Sequence, residues 1–139
     1  MKVSAATELA IRGLTELAMH FGEGPITLDA ICAGRDLPKQ YLTKIFSSLT
    51  RAGLIRPVRG KHGGYMLARD PKQVSLLEVV EAVQGPLWIN LCTHEPPQCD
   101  QEDCPLRSVW CELQQHIREK LSSVTLADAA APVAEVREC

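Results

Sequence analysis

Three of the six cysteines in this chain lie close together and could carry metal or redox chemistry. Cys92, Cys99 and Cys104 follow one another in a stretch rich in proline, at intervals of seven and five residues. Thiolates are soft ligands that suit iron–sulfur clusters, zinc or copper(I). The intervals differ from the paired C-x2-C knuckles of a common zinc site. The pattern indicates a metal or cluster site, with unpaired thiols or a thiol pair that oxidises to a disulfide as alternatives.

The other cysteines and one histidine have different expected roles. Cys111 follows Cys104 by seven residues, which is roughly 10 Å along a helix, so we expect a buried small side chain or a secondary thiol. Cys32 falls in a short predicted helix and is expected in the core, and Cys139 ends the chain. His94 lies inside the cysteine stretch and is either a ligand or a solvated side chain.

The charges of the chain are distributed unevenly. The net charge is only −2, yet residues 34–69 carry eight lysines and arginines against a single acidic residue, Asp36. From residue 92 onward, nine acidic residues outnumber four basic ones. A basic middle and an acidic end predict that only the middle segment meets a polyanion such as nucleic acid.

Hydrophobic periodicity predicts a mainly α-helical chain with a small β-hairpin. Pro38 suits the first position of a helix, and Gly53 suits a left-handed helix end. Two short strands are expected over residues 54–58 and 65–68. Helices are expected over residues 4–21, 27–33, 38–52, 75–83 and 105–124. Three short helices followed by a hairpin is the order of a winged helix-turn-helix, in which the third helix enters a DNA groove.

The third helix and the hairpin carry the candidate DNA contacts. Polar side chains near the start of the helix, away from its apolar stripe, could reach base edges or phosphates; they are Lys39, Gln40, Tyr41 and Lys44. The hairpin loop is basic and rich in glycine, which allows close backbone approach; its candidate residues are Arg59, Lys61, His62, Gly63, Gly64 and Tyr65. The alternative is a solvated, charged hairpin with no ligand.

These elements predict a division of the chain into four parts. Residues 1–86 form the winged helix-turn-helix, 87–104 the cysteine loop, 105–126 a dimerisation helix and 127–139 a flexible tail. The last helix is long and lies outside the N-terminal core, so it needs a partner, of which a second copy of the chain is the simplest.

Several classes of protein are not expected. No apolar run is long enough to span a bilayer, and the N-terminus lacks the apolar block of a signal peptide. We therefore expect a cytoplasmic protein, in which disulfides are disfavoured. No catalytic constellation and no phosphate-binding loop has a recognisable context, so an enzyme is not expected.

Several motifs together resemble the Rrf-two family of winged-helix transcription regulators, over roughly residues 1–129. In the winged-helix half, the motifs are Tyr41-Leu42-x-Lys44-Ile45-Phe46, Leu49-x-Arg51-Ala52-Gly53-Leu54-Ile55 and Val58-Arg59-Gly60-x-x-Gly63-Gly64-Tyr65-x-Leu67. Beyond it, they are the cysteine trio, Pro105-Leu106-x-x-Val109-Trp110 and Thr125-Leu126-Ala127-Asp128.

The resemblance implies a homodimer held by the last helix, with Cys92, Cys99 and Cys104 ligating a [2Fe-2S] or [4Fe-4S] cluster near the dimer interface. It also implies a fourth, non-cysteine ligand. IscR-like members use a histidine three residues after the last cysteine, where this chain has Arg107. NsrR-like members use an acidic residue of the first helix from the other subunit, and Glu8 stands at that place. Glu8 is the preferred candidate, ahead of Cys111 and His94, and the alternative role for Glu8 is a surface carboxylate.

The implied function is a DNA-binding transcription regulator whose DNA affinity responds to the cluster. One alternative keeps the DNA binding but uses the cysteines as a thiol switch or zinc site. Another is an iron–sulfur electron carrier, which would not need the basic segment. IscR-like members carry a glutamate at the place of Thr43, so the operator preference is open. The signal, the cluster type and the choice between repressor and activator are also open.

Overall fold

The computed structural model describes residues 2–133, and its core is a bundle of helices with a two-stranded hairpin on one side. The helices are α1 (Ala5–Met19), α2 (Leu28–Arg35), α3 (Lys39–Arg51), α4 (Leu76–Gln84), α5 (Arg107–Ser123) and α6 (Leu126–Ala130). The strands are β1 (Ile55–Val58) and β2 (Gly64–Leu67), and single 3₁₀ turns lie at Pro71–Gln73 and Leu91–Thr93. The expected order of elements is confirmed, with boundaries shifted by one to two residues.

Helix α1 runs through the centre of the core and contacts α2, α3, α4 and α6. Its start is capped because the Thr7 backbone N–H donates to the Ser4 hydroxyl. Thr7 is fully buried, and its own hydroxyl donates to Gln84 Oε1 over 2.8 Å. This hydrogen bond satisfies the buried hydroxyl and ties α1 to the last residue of α4.

Helices α2 and α3 form the helix-turn-helix. Thr27 caps α2, and Asp36 ends it in the left-handed conformation, which aspartate adopts more readily than most residues. Pro38 is the N-cap of α3 rather than its first helical residue, one position earlier than expected. Because proline has no side chain that can cap, the first N–H groups of α3 receive no side-chain hydrogen bond.

The hairpin, or wing, is attached to the rest of the domain by one residue that the periodicity did not reveal. Strands β1 and β2 pair antiparallel, with Ile55 opposite Leu67 and Val58 opposite Gly64. Ile26, just before α2, adds a bridge on the other side of β2: its N–H donates to Tyr65 O over 2.9 Å, and its C=O accepts from Tyr65 N over 2.8 Å. The wing is therefore held against the helix-turn-helix by backbone hydrogen bonds.

Gly64 is required by this attachment, and we expect Gly64→Ala to lower the free energy of unfolding by about 1–3 kcal/mol. A Cβ at this position would lie 2.3 Å from the Ile26 carbonyl oxygen, a backbone atom that cannot move without breaking the bridge. Gly60 also has a positive φ, but a Cβ there meets nothing within 4 Å. Gly60→Ala is the matched control in urea unfolding, because an alanine there has the strain of a positive φ but no steric clash of its Cβ. Equal losses from the two variants would contradict the close-approach explanation.

Helix α5 packs against α4 through a second, smaller apolar cluster. Leu77, Val80 and Leu87 form a second apolar cluster with Ile117 and Leu121 of α5. Ser75 caps α4 through a capping box with Glu78. No residue of α5 is buried in the chain by itself, so this long helix covers the core with only one edge.

Part of the segment expected to be a flexible tail is ordered. Leu126, the first residue of α6, is fully buried in the main core. Its N–H donates to Val74 O over 2.9 Å, and Leu76 N donates to Val124 O over 2.9 Å. These bonds fasten α6 beside the start of α4, and residues 127–130, which were expected in the tail, are helical. Cys139 lies outside the described residues.

Candidate DNA interface and cysteine loop

The exposed face of α3 carries the polar residues expected to contact DNA. Leu42, Ile45, Phe46 and Leu49 are buried, so the opposite face points to solvent. Lys39, Gln40, Tyr41 and Lys44 are all exposed on that face. Tyr41 is 60% exposed, so its ring is available to a ligand.

Lys39 has a partner in the chain that the sequence did not indicate. Its ammonium nitrogen lies 2.5 Å from Asp29 Oδ1 of α2. The hydrogen bond to this carboxylate raises the pKa of Lys39, so the lysine stays charged. Cys32 lies near this pair and packs partly buried against the core, and burial raises the pKa of its thiol.

The six wing candidates divide into two groups. The side chains of Arg59, Lys61 and His62 are exposed at the tip of the hairpin. Gly63, Gly64 and Tyr65 are half-buried, and the Tyr65 ring meets Phe46 edge-on, with 5.0 Å between ring centroids. Tyr65 therefore packs the wing against α3, and Gly64 lies against the Ile26 backbone. The first group is free to contact a polyanion.

The three cysteines of the loop have different environments. Cys92 is buried, while Cys99 and Cys104 are half-buried. All three thiols are free. Cys111 is exposed on α5, so of its two expected roles the buried side chain is wrong for the single chain, because α5 turns only one edge toward the core, and the secondary thiol stays a prediction.

The predicted ligands do not form a preassembled site in one chain. Within residues 2–133, no three histidine, cysteine, aspartate or glutamate side chains form a group that could hold a metal ion. Cys92 lies in a 3₁₀ turn that is fixed to α5, whereas Cys99 and Cys104 lie in irregular chain beyond it. Glu8 lies on the exposed surface of α1, where Arg12 Nη2 donates to Glu8 Oε1 over 2.6 Å. The expected set of Cys92, Cys99, Cys104 and Glu8 is thus not gathered by the fold of one subunit.

The cysteine loop is fastened to α5 by a residue that sequence reasoning missed. Gln114 accepts a hydrogen bond from Ile89 N over 3.2 Å and donates one to Thr93 O over 3.1 Å. Its amide thus spans the turn that contains Cys92. His94 stacks on Trp88, with 5.4 Å between ring centroids, and so packs within the loop.

A second link joins α5 to α4. Arg118 Nη1 donates to Glu81 Oε1 over 2.5 Å, and the same oxygen lies 3.4 Å from Leu87 N. Helix α4 in turn packs against α1 and α3. The loop, α5, α4 and α3 therefore form one continuous set of contacts. Gln114 and Arg118 are four residues apart and therefore share the face of α5 that includes the apolar Ile117. Their spacing relative to Ile117 is the sequence signal that could have identified them as contacts with the rest of the chain.

A charged cleft of about 430 Å³ lies between the end of α1 and the start of α2. His20 Nδ1 donates to Glu23 Oε2 over 2.7 Å, and His20 Nε2 lies 3.4 Å from Glu16 Oε1. Arg35 Nε donates to the other Glu16 oxygen over 2.9 Å. Glu16 thus joins α1 to the end of α2 through Arg35. The hydrogen bond with Glu23 is the main reason that the pKa of His20 is raised above 6.5.

This raised pKa makes a testable contribution to stability. A histidine whose pKa is higher in the folded state stabilises the fold fully below its unfolded pKa, and that contribution is lost as the pH rises through the folded pKa. We therefore expect His20→Gln to destabilise the protein more at pH 6 than at pH 8, in urea unfolding at both pH values. The exposed His62, for which no ion pair is found among residues 2–133, is the control site. A His20→Gln effect that is equal at both pH values would contradict the prediction.

The fold and its exposed basic face define a winged helix-turn-helix protein. The chain belongs to the Rrf2 family: residues 3–132 match the family model described as "Iron-dependent Transcriptional regulator". It is therefore a transcriptional regulator and not an enzyme, and the family and fold indicate DNA binding. Within residues 2–133, no helix is both long and apolar enough to cross a membrane.

Similar proteins agree with this assignment. A putative HTH-type transcriptional regulator of Synechocystis is 37% identical over 92% of this chain and 86% of its own length. The structure of CymR, the global cysteine regulator of B. subtilis, has a TM-score of 0.81 and 30% identity, covering 94% of this chain and 96% of CymR. The structure of T. potens IscR has a TM-score of 0.77 and 32% identity, covering 93% and 85% of the two chains.

Proposed function

We propose that this regulator acts as a homodimer on double-stranded promoter DNA, in the cytoplasm, and that an iron–sulfur cluster at the cysteine loop controls its DNA affinity. The proposal that the loop controls DNA affinity is supported by the continuous set of contacts from the loop through α5 and α4 to α3. Gln114 holds the turn containing Cys92, and the Arg118–Glu81 hydrogen bond joins α5 to α4. A change in the loop would therefore shift elements that pack on the DNA-reading helix.

The proposed dimer contact is the outer face of α5. Val109 and Leu113 of this helix, and Leu106 at its N-cap, are exposed large apolar residues at helical spacing. Exposed apolar stripes of this kind are typical of helices that pair. A dimer would place two α3 helices on the two halves of a roughly palindromic site.

The residue types of the loop suit an iron–sulfur cluster, although the positions of its cysteines in a single chain do not form a cluster site. Three free thiols within thirteen residues are the donors that iron–sulfur clusters use. Their gathering would require the loop beyond Cys92 to rearrange. Glu8 is the proposed fourth donor, reaching from the partner subunit, and it would have to leave Arg12, to which it is bound here. The bond to Arg12 joins two exposed side chains and is worth at most about 1 kcal/mol, so it is a small obstacle.

The proposal is tested by anaerobic purification followed by absorbance spectra and assays of iron and sulfide. Duplexes selected from a random library on that protein supply the DNA probe. We expect a coloured protein whose affinity for the selected duplexes changes by about 5- to 150-fold when iron is removed with a chelator. A colourless protein that takes up no iron on reconstitution would overturn the cluster.

A thiol switch is the second candidate function, because the three cysteines of the loop are free and differ in their exposure to an oxidant. The thiols of Cys92, Cys99 and Cys104 are free and differ in burial, so an oxidant would reach the half-buried pair first. CymR, a structural neighbour, is described as a global cysteine regulator. Mass spectrometry of the thiols after peroxide treatment, alongside metal analysis, separates the two candidates: a disulfide that forms in iron-free protein and changes DNA affinity supports the switch.

A further inference from the structure

An acidic residue of α2 reaches the DNA-facing side of α3. Asp29 lies outside the basic segment of residues 34–69, but the helix-turn-helix brings its carboxylate to 2.5 Å from the Lys39 ammonium. The side chains are 75% and 57% exposed, respectively. Both partners of the pair are therefore within reach of a molecule that approaches α3.

The position of Lys39 is unfavourable for the helix itself. It is the first residue of α3, where the partial positive charge of the helix end favours an acidic side chain. No acidic residue lies in the first turn of α3, and Pro38 supplies no capping side chain. Asp29 is the nearby charge that compensates the lysine in the DNA-free protein, whereas a DNA phosphate could do so in a complex.

We propose that Asp29 is an affinity-determining residue that competes with DNA phosphates for Lys39 and so weakens sequence-independent binding. An exposed ion pair contributes little to stability, so a phosphate can displace the carboxylate when α3 docks closely. A loosely docked duplex leaves the pair intact and gains no contact from Lys39. The proposal rests on DNA binding by α3 and adds a residue that limits it.

The test compares Asp29→Asn with Asp36→Asn. Both variants remove one negative charge from the helix-turn-helix. Asp36 has a left-handed backbone that asparagine also adopts, and no ion pair of Asp36 is found among residues 2–133. The probe is a 30-base-pair duplex of mixed sequence, and binding is measured by fluorescence anisotropy between 50 and 200 mM NaCl. Thermal unfolding by circular dichroism checks that each variant is folded.

We expect Asp29→Asn to bind the duplex roughly three- to fivefold more tightly than wild type at the lowest salt, because releasing an exposed ion pair yields at most about 1 kcal/mol, with a slope of log affinity against log salt steeper by about 0.9. That slope corresponds to one additional phosphate contact. Asp36→Asn is expected to change the affinity less than twofold. In a Lys39→Gln background, Asp29→Asn should have no more effect than Asp36→Asn.

Two outcomes would overturn the proposal: equal effects of Asp29→Asn and Asp36→Asn, or an Asp29→Asn effect that persists in the Lys39→Gln background. Either would show that Asp29 acts through the general charge of the domain. A wild-type protein that does not bind the duplex at all would instead overturn DNA binding by this face. The two failures are therefore distinguishable.

Discussion

Replacing Val109 and Leu113 together with glutamate is expected to make the protein monomeric and to weaken its DNA binding at least about 100-fold. Both residues lie on the outer face of α5, where the chain by itself leaves them 45% and 44% exposed. Four glutamates facing one another across a dimer contact would bring buried, unpaired charge into an apolar interface. Loss of the second subunit removes the second half-site contact, and two linked contacts typically exceed one by about 10² to 10⁴ in affinity.

Phe21→Glu is the matched control for this double variant. Phe21 is 46% exposed, so the substitution likewise places a glutamate at an apolar position of comparable exposure, just beyond the end of α1. Sedimentation equilibrium reports the oligomeric state, and anisotropy on selected duplexes reports the affinity. Phe21→Glu should remain dimeric and bind DNA like wild type. A dimeric Val109→Glu/Leu113→Glu protein would place the subunit contact elsewhere.

The second large effect is expected at the cysteine loop. Single Cys92→Ser, Cys99→Ser and Cys104→Ser variants should each lower the iron bound after anaerobic reconstitution by more than tenfold, because a serine hydroxyl does not replace a thiolate ligand of an iron–sulfur cluster. Iron, sulfide and the visible spectrum are the measurements. The fold should survive in the Cys99 and Cys104 variants, whose side chains are only half-buried.

Cys111→Ser provides the control, because Cys111 is a free cysteine of the same chain that is exposed on α5. We expect it to retain the iron content of wild type. Iron loss in Cys111→Ser as large as in the loop variants would make Cys111 the missing donor in place of Glu8. Iron retention in all three loop variants would refute the cluster at this loop.

Much of the fold follows from local sequence signals. Helical spacing of apolar residues located α1 and α3, and the glycines of the wing located its turn, because these signals depend on neighbours within a few positions. The expected dimerisation helix of residues 105–126 ends at Ser123, and Leu126 begins a separate helix, because it is buried by contacts with Val74 and α1, which lie far away in the chain. The alanine-rich sequence after Leu126 gave no sign that this leucine is buried in the core.

The cysteines illustrate where sequence inference ends. Their spacing and the motifs around them indicated soft-ligand chemistry and a family, and the family is confirmed. The spacing could not show that Cys92 is buried in a turn held by Gln114 while Cys99 and Cys104 lie outside it. It also could not show that Arg12 engages Glu8.

The sequence by itself determined the helix-turn-helix with its wing, the basic segment and the three thiols, because periodicity, charge and residue type are local properties. Only the tertiary structure decided which distant residues meet. It brought Ile26 to the wing, Gln114 to the cysteine turn and Asp29 to Lys39. Such meetings depend on how whole helices cross and how loops close, which no short window of sequence contains. The three thiols were therefore visible in the sequence, whereas the sequence did not show that, within residues 2–133, they form no three-ligand group in a single chain.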